Sequence, residues 1–212
     1  MFTGEALSIL SLAIYAGLVV ALAYGRPKPP RRAEASEPRR EPFRHARIAE
    51  GIWLAAIGIA VLYPLLGLFD PAIVPELPWT VSFFGSEAVQ IVGVALALAA
   101  AALLGTSFRA LGAFATVDIA VRPDHVIVRA GPYRAIRHPM YTANLLLTAG
   151  IALAFLATIL VVPFVVVLLL APIRARAEER LFLADPRLGQ EYAAYESRTG
   201  RFLPRRPRAP SP

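Results

Sequence analysis

The chain has 212 residues, of which 57% are hydrophobic and 17% are charged, whereas soluble domains are about 45–50% apolar and about 25% charged, so we expect a membrane protein. It contains no cysteine, which excludes disulfides, thiolate catalysis and cysteine-ligated metal. The formal net charge is +7, but the positive charges lie between and after the apolar segments, which favours loops facing anionic lipid over a nucleic-acid partner.

Apolar runs of about 20 residues predict membrane-spanning helices. The first three runs extend from Ala6 to Tyr24, from Ile52 to Phe69 and from Ala88 to Leu104. A fourth stretch, from Asn144 to Ile173, is too long for one span, so we expect a helical hairpin that turns near Thr158 or Pro163. The pattern predicts an all-α integral membrane protein with about five transmembrane helices.

Loop charge predicts the orientation of these spans. The first loop, within residues 25–50, contains Arg26, Lys28, Arg31, Arg32, Arg39, Arg40, Arg44 and Arg47. We expect it to be a flexible, lipid-facing linker as far as Arg40. The second loop, from Asp70 to Gly85, has no Lys or Arg, and the third, from Thr106 to His138, is again basic. The positive-inside rule therefore places the first and third loops and the C-terminus in the cytoplasm, and the N-terminus outside the cell membrane.

A cluster of cations and tyrosines lies between residues 131 and 141, in the sequence GPYRAIRHPMY. Cations are costly in hydrocarbon, so such a cluster at the end of a membrane segment indicates a functional site. The alternative is a set of interfacial anchors, with Arg and His on lipid phosphates and Tyr in the aromatic belt.

A second group of charges follows the last span. Arg174 and Glu178 are four residues apart, on one face of a helix, and Glu179 is adjacent. Alone they could form an exposed ion pair of little worth. Together with Arg137 and His138 on the same side of the membrane, they suit a zwitterionic ligand, whose carboxylate binds Arg and whose ammonium binds Glu.

Two further patterns favour ordinary structural roles. Tyr192 and Tyr195 are three residues apart on the last predicted helix, which is more typical of packing than of ligand contact. The three histidines lack the i, i+4 spacing of a helical metal site, so we expect no metal.

These motifs together resemble the isoprenylcysteine carboxyl methyltransferase family, in its five-span prokaryotic form. The residues that carry the resemblance are Asp124–Val128, Gly131–Tyr133, Arg137–Tyr141, Arg174 with Glu178 and Glu179, and Gly189–Tyr192 with Tyr195. The series keeps its order along roughly the C-terminal half of the chain. Arg-His-Pro alone would be a weak signal, but the ordered set is specific.

The resemblance implies an S-adenosylmethionine-dependent methyltransferase with a cytoplasmic cofactor pocket. It assigns the cofactor to His125, Val126, Ile127, Val128, Tyr133, His138, Pro139, Met140, Tyr141 and Glu178, with Glu178 at the ammonium end. It places Arg174 beside the acceptor and gives Arg137 a supporting catalytic role. The implied regions are residues 1–105 with three spans, residues 106–204 as the catalytic region, and a disordered tail at residues 205–212.

The expected acceptor is a lipophilic small molecule or lipidated group in the membrane, most simply a carboxylate. A carboxylate is already a nucleophile at neutral pH, so no general base is required. Alternatives are lipid N-methylation, an NADPH-dependent sterol-type reductase, whose family shares an Arg-His-Pro-Tyr segment, and a non-catalytic protein of the same fold. The sequence leaves the oligomeric state open.

Overall fold

The computed structural model describes residues 4–25, 39–40, 44–70, 72–115, 120–121 and 124–205. The longer helices are α1 (Gly4–Tyr24), α2 (Arg44–Leu62), α5 (Ser86–Leu111), α6 (Pro139–Phe155) and α7 (Val161–Leu183). The shorter helices are α3 (Pro64–Phe69), α4 (Ile73–Glu76) and α8 (Gly189–Arg198), with 3-10 turns at Gly112–Phe114, Gly131–Arg134 and Thr158–Leu160. Two two-residue strands, β1 (Arg39–Arg40) and β2 (Ala120–Val121), pair antiparallel.

The structure agrees with an all-α, multi-pass membrane protein. Among the described residues, four segments are long and apolar enough to cross a membrane, namely Glu5–Tyr24, Ile48–Phe69, Ser86–Leu111 and Thr158–Leu183. The expected fifth span is α6, which is apolar but has 17 residues. Large apolar side chains such as Ile9, Val20, Ile59 and Leu169 are more than half exposed on the outside of the bundle, as lipid contact requires.

The apolar stretch from Asn144 to Ile173 is divided between α6 and α7, as predicted, but its boundaries differ. The turn includes Thr158, whereas Pro163 lies in the first turn of α7, where its missing N–H removes no helical bond. The predicted apolar stretch begins at Asn144, whereas α6 begins at Pro139, directly after the predicted end of the third loop at His138. Proline is preorganised for the first helical position, so Met140 and Tyr141 belong to the helix.

Close packing of α5 on α6 and on α1 forms the centre of the bundle. A methyl group on Gly93 would lie 2.3 Å from the backbone nitrogen of Ala154, and one on Gly150 would lie 2.7 Å from that of Ala97. Small residues let membrane helices approach this closely, where dispersion and hydrogen bonds hold them together. Packing against α5 thereby holds α6 in place, including its N-terminus.

The chain after α8 returns to the segment that precedes α6. We call residues 199–203 the C-terminal strap. The backbone N–H of Arg137 donates to the Gly200 carbonyl (2.8 Å), and that of His138 donates to the Arg201 carbonyl (3.0 Å). The Thr142 hydroxyl donates to the Phe202 carbonyl (2.8 Å). These bonds fix α8 across one end of the bundle.

Parts of the predicted basic loop lie outside the described residues, as do residues 206–212 of the predicted disordered tail. The linker was expected to be flexible as far as Arg40, but its last two residues are ordered in the structure. Arg39 and Arg40 form β1, whose backbone pairs with Val121 and Ala120 respectively. The linker therefore has a fixed point next to the third loop.

Candidate active site

A cavity of about 440 Å³ lies at the end of the bundle that the strap covers. The predicted site residues that line it are His125, Val126, Ile127, Val128, Tyr133, Arg137, His138, Met140, Tyr141, Arg174 and Glu178. Pro139 does not line it, because its ring is fully buried at the start of α6. The structure thus brings together residues that are up to about 50 positions apart in the sequence.

The segment before α6 is held in place by α8. Gly131 adopts a positive φ of 55° and begins a 3-10 turn that directs Tyr133 inward, where it is 7% exposed. The Tyr195 hydroxyl donates a hydrogen bond of 2.7 Å to the Tyr133 carbonyl. Burial raises the pKa of Tyr133 well above its ordinary value, so its phenol stays neutral.

Glu179 is the centre of a buried ionic network. Its Oε1 accepts from Arg137 Nε (3.0 Å) and Arg201 Nε (3.0 Å), and it lies 3.1 Å from His138 Nε2. Its Oε2 accepts a second bond from Arg201, at 2.6 Å. Charge-assisted bonds of this kind are stronger than neutral ones, so Glu179 joins α7 to the strap and to the start of α6.

The Arg137 guanidinium has several protein partners besides Glu179. It also donates to the carbonyls of Glu196 (3.1 Å) and Thr199 (2.6 Å), and to the Glu196 carboxylate (3.2 Å). Its side chain is 8% exposed. These contacts account for most of its five donor hydrogens, which fits a supporting role at the edge of the cavity.

Glu178, next to Glu179 on α7, has a different environment. Its side chain is 33% exposed and lines the cavity. Its Oε2 accepts from the Tyr141 hydroxyl (3.1 Å) and lies 3.4 Å from His138 Nδ1. Glu178 is therefore a carboxylate that a ligand in the cavity can reach.

His138 bridges the two glutamates with its two ring nitrogens. Burial alone would lower the pKa of His138, but the hydrogen bonds and negative charges of Glu178 and Glu179 outweigh it and raise that pKa above 6.5. An imidazole whose nitrogens both face carboxylates is favoured in its doubly protonated form. The ring stacks on Tyr141, with centroids 5.3 Å apart and planes 4° apart.

Arg174 lies on the other side of Tyr141 and is 4% exposed. The alternative of an exposed surface ion pair is therefore wrong for this residue. Its guanidinium carbon is 5.6 Å from the Trp53 ring centroid and 6.0 Å from that of Tyr141. Aromatic faces at this range attract a cation, so these rings hold a buried guanidinium at the cavity wall.

Aromatic rings form another wall of the cavity. The His125 ring stacks on Phe114 with centroids 4.8 Å apart, and it meets the edge of Phe182 at 5.1 Å. Phe182 in turn stacks on Tyr192, with centroids 5.0 Å apart and planes 10° apart. Tyr192 thus packs, as its spacing predicted, but it also lines the cavity.

The remaining wall is aliphatic and comes from helices that carried no sequence signal. Its aliphatic side chains are Leu22 of α1, Leu54 and Ile57 of α2, and Leu104 and Leu111 of α5, and the ring of Phe108 lies among them. Trp53, which is 3% exposed, was also missed. It lies in the predicted second span, where no motif distinguished it. In the part of the chain that the structure describes, no group of three or more His, Cys, Asp or Glu could hold a metal ion.

Comparison with known proteins identifies the region that forms most of this cavity. The model of the isoprenylcysteine carboxyl methyltransferase (ICMT) family matches residues 92–184. The matched residues, which are less than half of the chain, are similar to this family. The match agrees with the resemblance inferred from the motifs. The match includes α6, α7 and both glutamates, whereas Trp53 on α2 and the whole of α8 lie outside it.

A curated relative also matches about half of the chain. The cobalt-zinc-cadmium resistance protein CzcN of Cupriavidus metallidurans is 34% identical over 105 residues, which are 49% of this chain and 47% of that protein. The chain thus spans about half the length of the curated relative it matches. The name of that protein concerns metal resistance and describes no methyl acceptor.

Proposed function

We propose that this protein is a member of the ICMT family and transfers a methyl group from S-adenosylmethionine to a lipophilic acceptor in the membrane, most simply a carboxylate, as in isoprenylcysteine-type O-methylation. The observation that carries the proposal is the composition of one cavity. A reachable carboxylate, a buried guanidinium, an aromatic wall and an aliphatic wall all face the same space. Each of these walls fits a different part of the two substrates.

The cavity residues fit S-adenosylmethionine. A volume of about 440 Å³ lies within the range of roughly 300–1,000 Å³ that small-molecule sites occupy. Glu178, one-third exposed, would hold the ammonium group. The His125, Phe114 and Phe182 rings would receive the planar base. When bound, the cofactor would supply an electrophilic methyl group. A lone pair of the acceptor oxygen would form the new bond to the methyl carbon as the carbon–sulfur bond breaks, and the electron pair of the broken bond would stay on sulfur.

In this proposal Arg174 orients the acceptor carboxylate. Its buried guanidinium offers a planar pair of donors, which match a carboxylate in geometry. The Trp53 and Tyr141 rings hold the charge in place. A carboxylate needs no proton removed, so the protein contributes by positioning the acceptor and excluding water.

Arg137 acts as a positioning residue in this scheme. Its bonds to Glu179 and to the Glu196 and Thr199 carbonyls hold the strap against the start of α6. They thereby fix His138, which contacts Glu178 on the cavity side. Loss of Arg137 should therefore weaken cofactor binding through the position of Glu178.

The aliphatic wall supports a lipophilic acceptor. Leu54, Ile57 and Phe108 belong to apolar helices whose outer faces would contact lipid. An acceptor chain can bury apolar surface there at about 25 cal/mol per Å². With the basic loops in the cytoplasm, as the positive-inside rule predicts, the polar part of the cavity would face the cytoplasm.

The test is transfer of labelled methyl from S-adenosylmethionine to a total membrane lipid extract by the purified protein in nanodiscs, with mass spectrometry of the product. We expect a labelled lipid ester with the wild type and loss of labelling in Glu178→Gln. Glu87→Gln is the matched control, because Glu87 is exposed in the first turn of α5, at the opposite end of that helix from the cavity.

Three outcomes would redirect the proposal. A labelled amine as product would indicate lipid N-methylation. Stabilisation by NADPH and not by S-adenosylmethionine in a thermal-shift titration would favour the reductase alternative. Absence of both cofactor binding and transfer would support a non-catalytic protein. The role of Arg174 is checked by Arg174→Gln, which should raise the acceptor KM while cofactor affinity stays within about twofold.

A further inference from the structure

A second recess, of about 200 Å³, lies on the outer side of α8. It is lined by Arg129, Arg134, Ala194, Tyr195, Arg198 and Thr199. Three of these six residues are arginines, and none of the three takes part in the network around Glu179. The recess is therefore a separate cationic site that the proposed methyl transfer does not use.

The recess has an excess of positive charge even when the ion pair between Arg129 and Glu191 is taken into account. Arg129 NH2 lies 3.0 Å from Glu191 Oε1, with about half of each side chain exposed. Its guanidinium carbon is also 5.9 Å from the Tyr195 ring centroid. Arg134 and Arg198 are exposed. Guanidinium groups pair with phosphate through two parallel hydrogen bonds, so this arrangement suits a phosphate oxyanion.

The position of the recess in the bundle matches the lipid headgroup level. Arg109, near the end of α5, lies over the ring of Tyr24 at the end of α1, 4.4 Å from its centroid. Exposed Tyr and Arg at helix ends are typical of the membrane–water interface. A methyl group on Gly131 would lie 3.4 Å from the Cβ of Ala110. The turn that carries Arg134 therefore packs on α5 at this interfacial level.

We propose that the recess binds the phosphate of an anionic phospholipid from the surrounding membrane. The occupant is argued from charge complementarity and from the interfacial level of the site. Tyr195 lines both the recess and the main cavity, and its hydroxyl bonds to the Tyr133 carbonyl. A lipid bound between Arg134 and Arg198 would hold α8 against the turn at residues 131–134, and so stabilise the wall that the two sites share.

The test measures lipid binding, so its outcome is independent of the methyl-transfer proposal. Delipidated protein is titrated with phosphatidylglycerol and, separately, with phosphatidylcholine, and bound lipid is counted by native mass spectrometry. We expect phosphatidylglycerol to be preferred. The Arg134→Gln/Arg198→Gln variant should bind it roughly 10- to 30-fold more weakly. Arg134→Lys, which keeps the charge but loses the planar pair of donors, should give an intermediate affinity.

The matched control is Arg176→Gln/Arg180→Gln. It removes the same charge from two exposed positions on α7, outside the recess. An equal loss of affinity in this control would mean general electrostatic attraction and would overturn the proposal. Equal binding of the two lipids would overturn it as well. Displacement of phosphatidylglycerol by millimolar inorganic phosphate would point instead to a soluble anion as the occupant.

Discussion

The substitution Glu179→Gln tests whether the ionic network holds the C-terminal strap in place. Gln has nearly the same shape as Glu, so packing is preserved while the negative charge is removed. One carboxylate oxygen also becomes an N–H donor, facing either Arg201 or the side of Arg137 and His138. The new N–H group would therefore face an N–H group of Arg201, or those of Arg137 and His138, with no acceptor between them.

The size of the effect follows from burial and from the number of partners. The Glu179 and Arg137 side chains are 5% and 8% exposed, so the charges that remain are poorly solvated. A hydrogen bond to a charged group contributes about 1.5–3 kcal/mol, against about 0.5–1.5 kcal/mol for a neutral one. A loss of about 1 kcal/mol for each of the three partners gives about 3 kcal/mol. This value is at the lower end of the 3–5 kcal/mol or so that breaking a buried ion pair costs.

The assay is thermal unfolding in detergent, followed by the fluorescence of the two tryptophans. At roughly 2–4 °C per kcal/mol for a chain of this length, we expect Tm to fall by about 6–12 °C. Glu87→Gln, at an exposed first-turn position of α5, should lose no more than about 1 kcal/mol. Limited trypsin digestion provides a local readout, because release of the strap makes its Arg201 cleavable before global unfolding.

Two results would refute this reasoning. If Glu179→Gln lowers Tm no more than Glu87→Gln does, the network contributes little net stability, as happens when desolvation cancels the attraction. If Tm falls as expected but the strap stays resistant to trypsin, the network stabilises α7 and not the strap. Either outcome would remove the structural basis for treating Arg137 as a positioning residue.

Three further predictions concern the cavity, the helix packing and pH. Ile57→Trp should fill the aliphatic wall and raise the acceptor KM roughly tenfold or more, with cofactor affinity unchanged in calorimetry. Gly93→Ala should lose at least about 1–3 kcal/mol in thermal unfolding, because its methyl meets the Ala154 backbone, whereas Gly58→Ala, with nothing within 4 Å, should gain up to about 1 kcal/mol. The pKa of His138 is raised in the folded protein. The stabilisation that protonated His138 provides is therefore complete below about pH 6.5 and is lost as pH rises through the folded pKa. The Tm difference between the wild type and His138→Gln should accordingly shrink from pH 6 to pH 9.

The helical architecture was predictable because its signal is local. Runs of about 20 apolar residues and the alternation of basic and neutral loops depend only on neighbouring residues. The predicted third loop ends at His138, directly before the observed start of α6 at Pro139, which is a favourable first helical residue. The predicted apolar stretch begins five residues later, at Asn144, because the first turn of α6 contains polar residues.

The non-local parts of the structure could not be predicted. The pairing of Arg39–Arg40 with Ala120–Val121 joins residues about 80 positions apart, and no periodicity encodes it. The strap was also missed, since residues 199–203 have no apolar alternation and lie near a Pro- and Arg-rich tail. Trp53 belongs to no sequence motif, because its role depends on contact with Arg174 and Tyr141 from other helices.

The adjacent glutamates of α7 explain how a buried network and a ligand site can share one helix. Consecutive helical residues point about 100° apart, so Glu178 faces the cavity while Glu179 faces the strap. His138 contacts both carboxylates and is favoured as a cation by both. Neutralising Glu179 would therefore lower the pKa of His138 and leave Glu178 with less positive charge beside it. The strap thus influences the electrostatics of the cavity through the His138 ring, although none of the residues 199–203 lines the cavity itself.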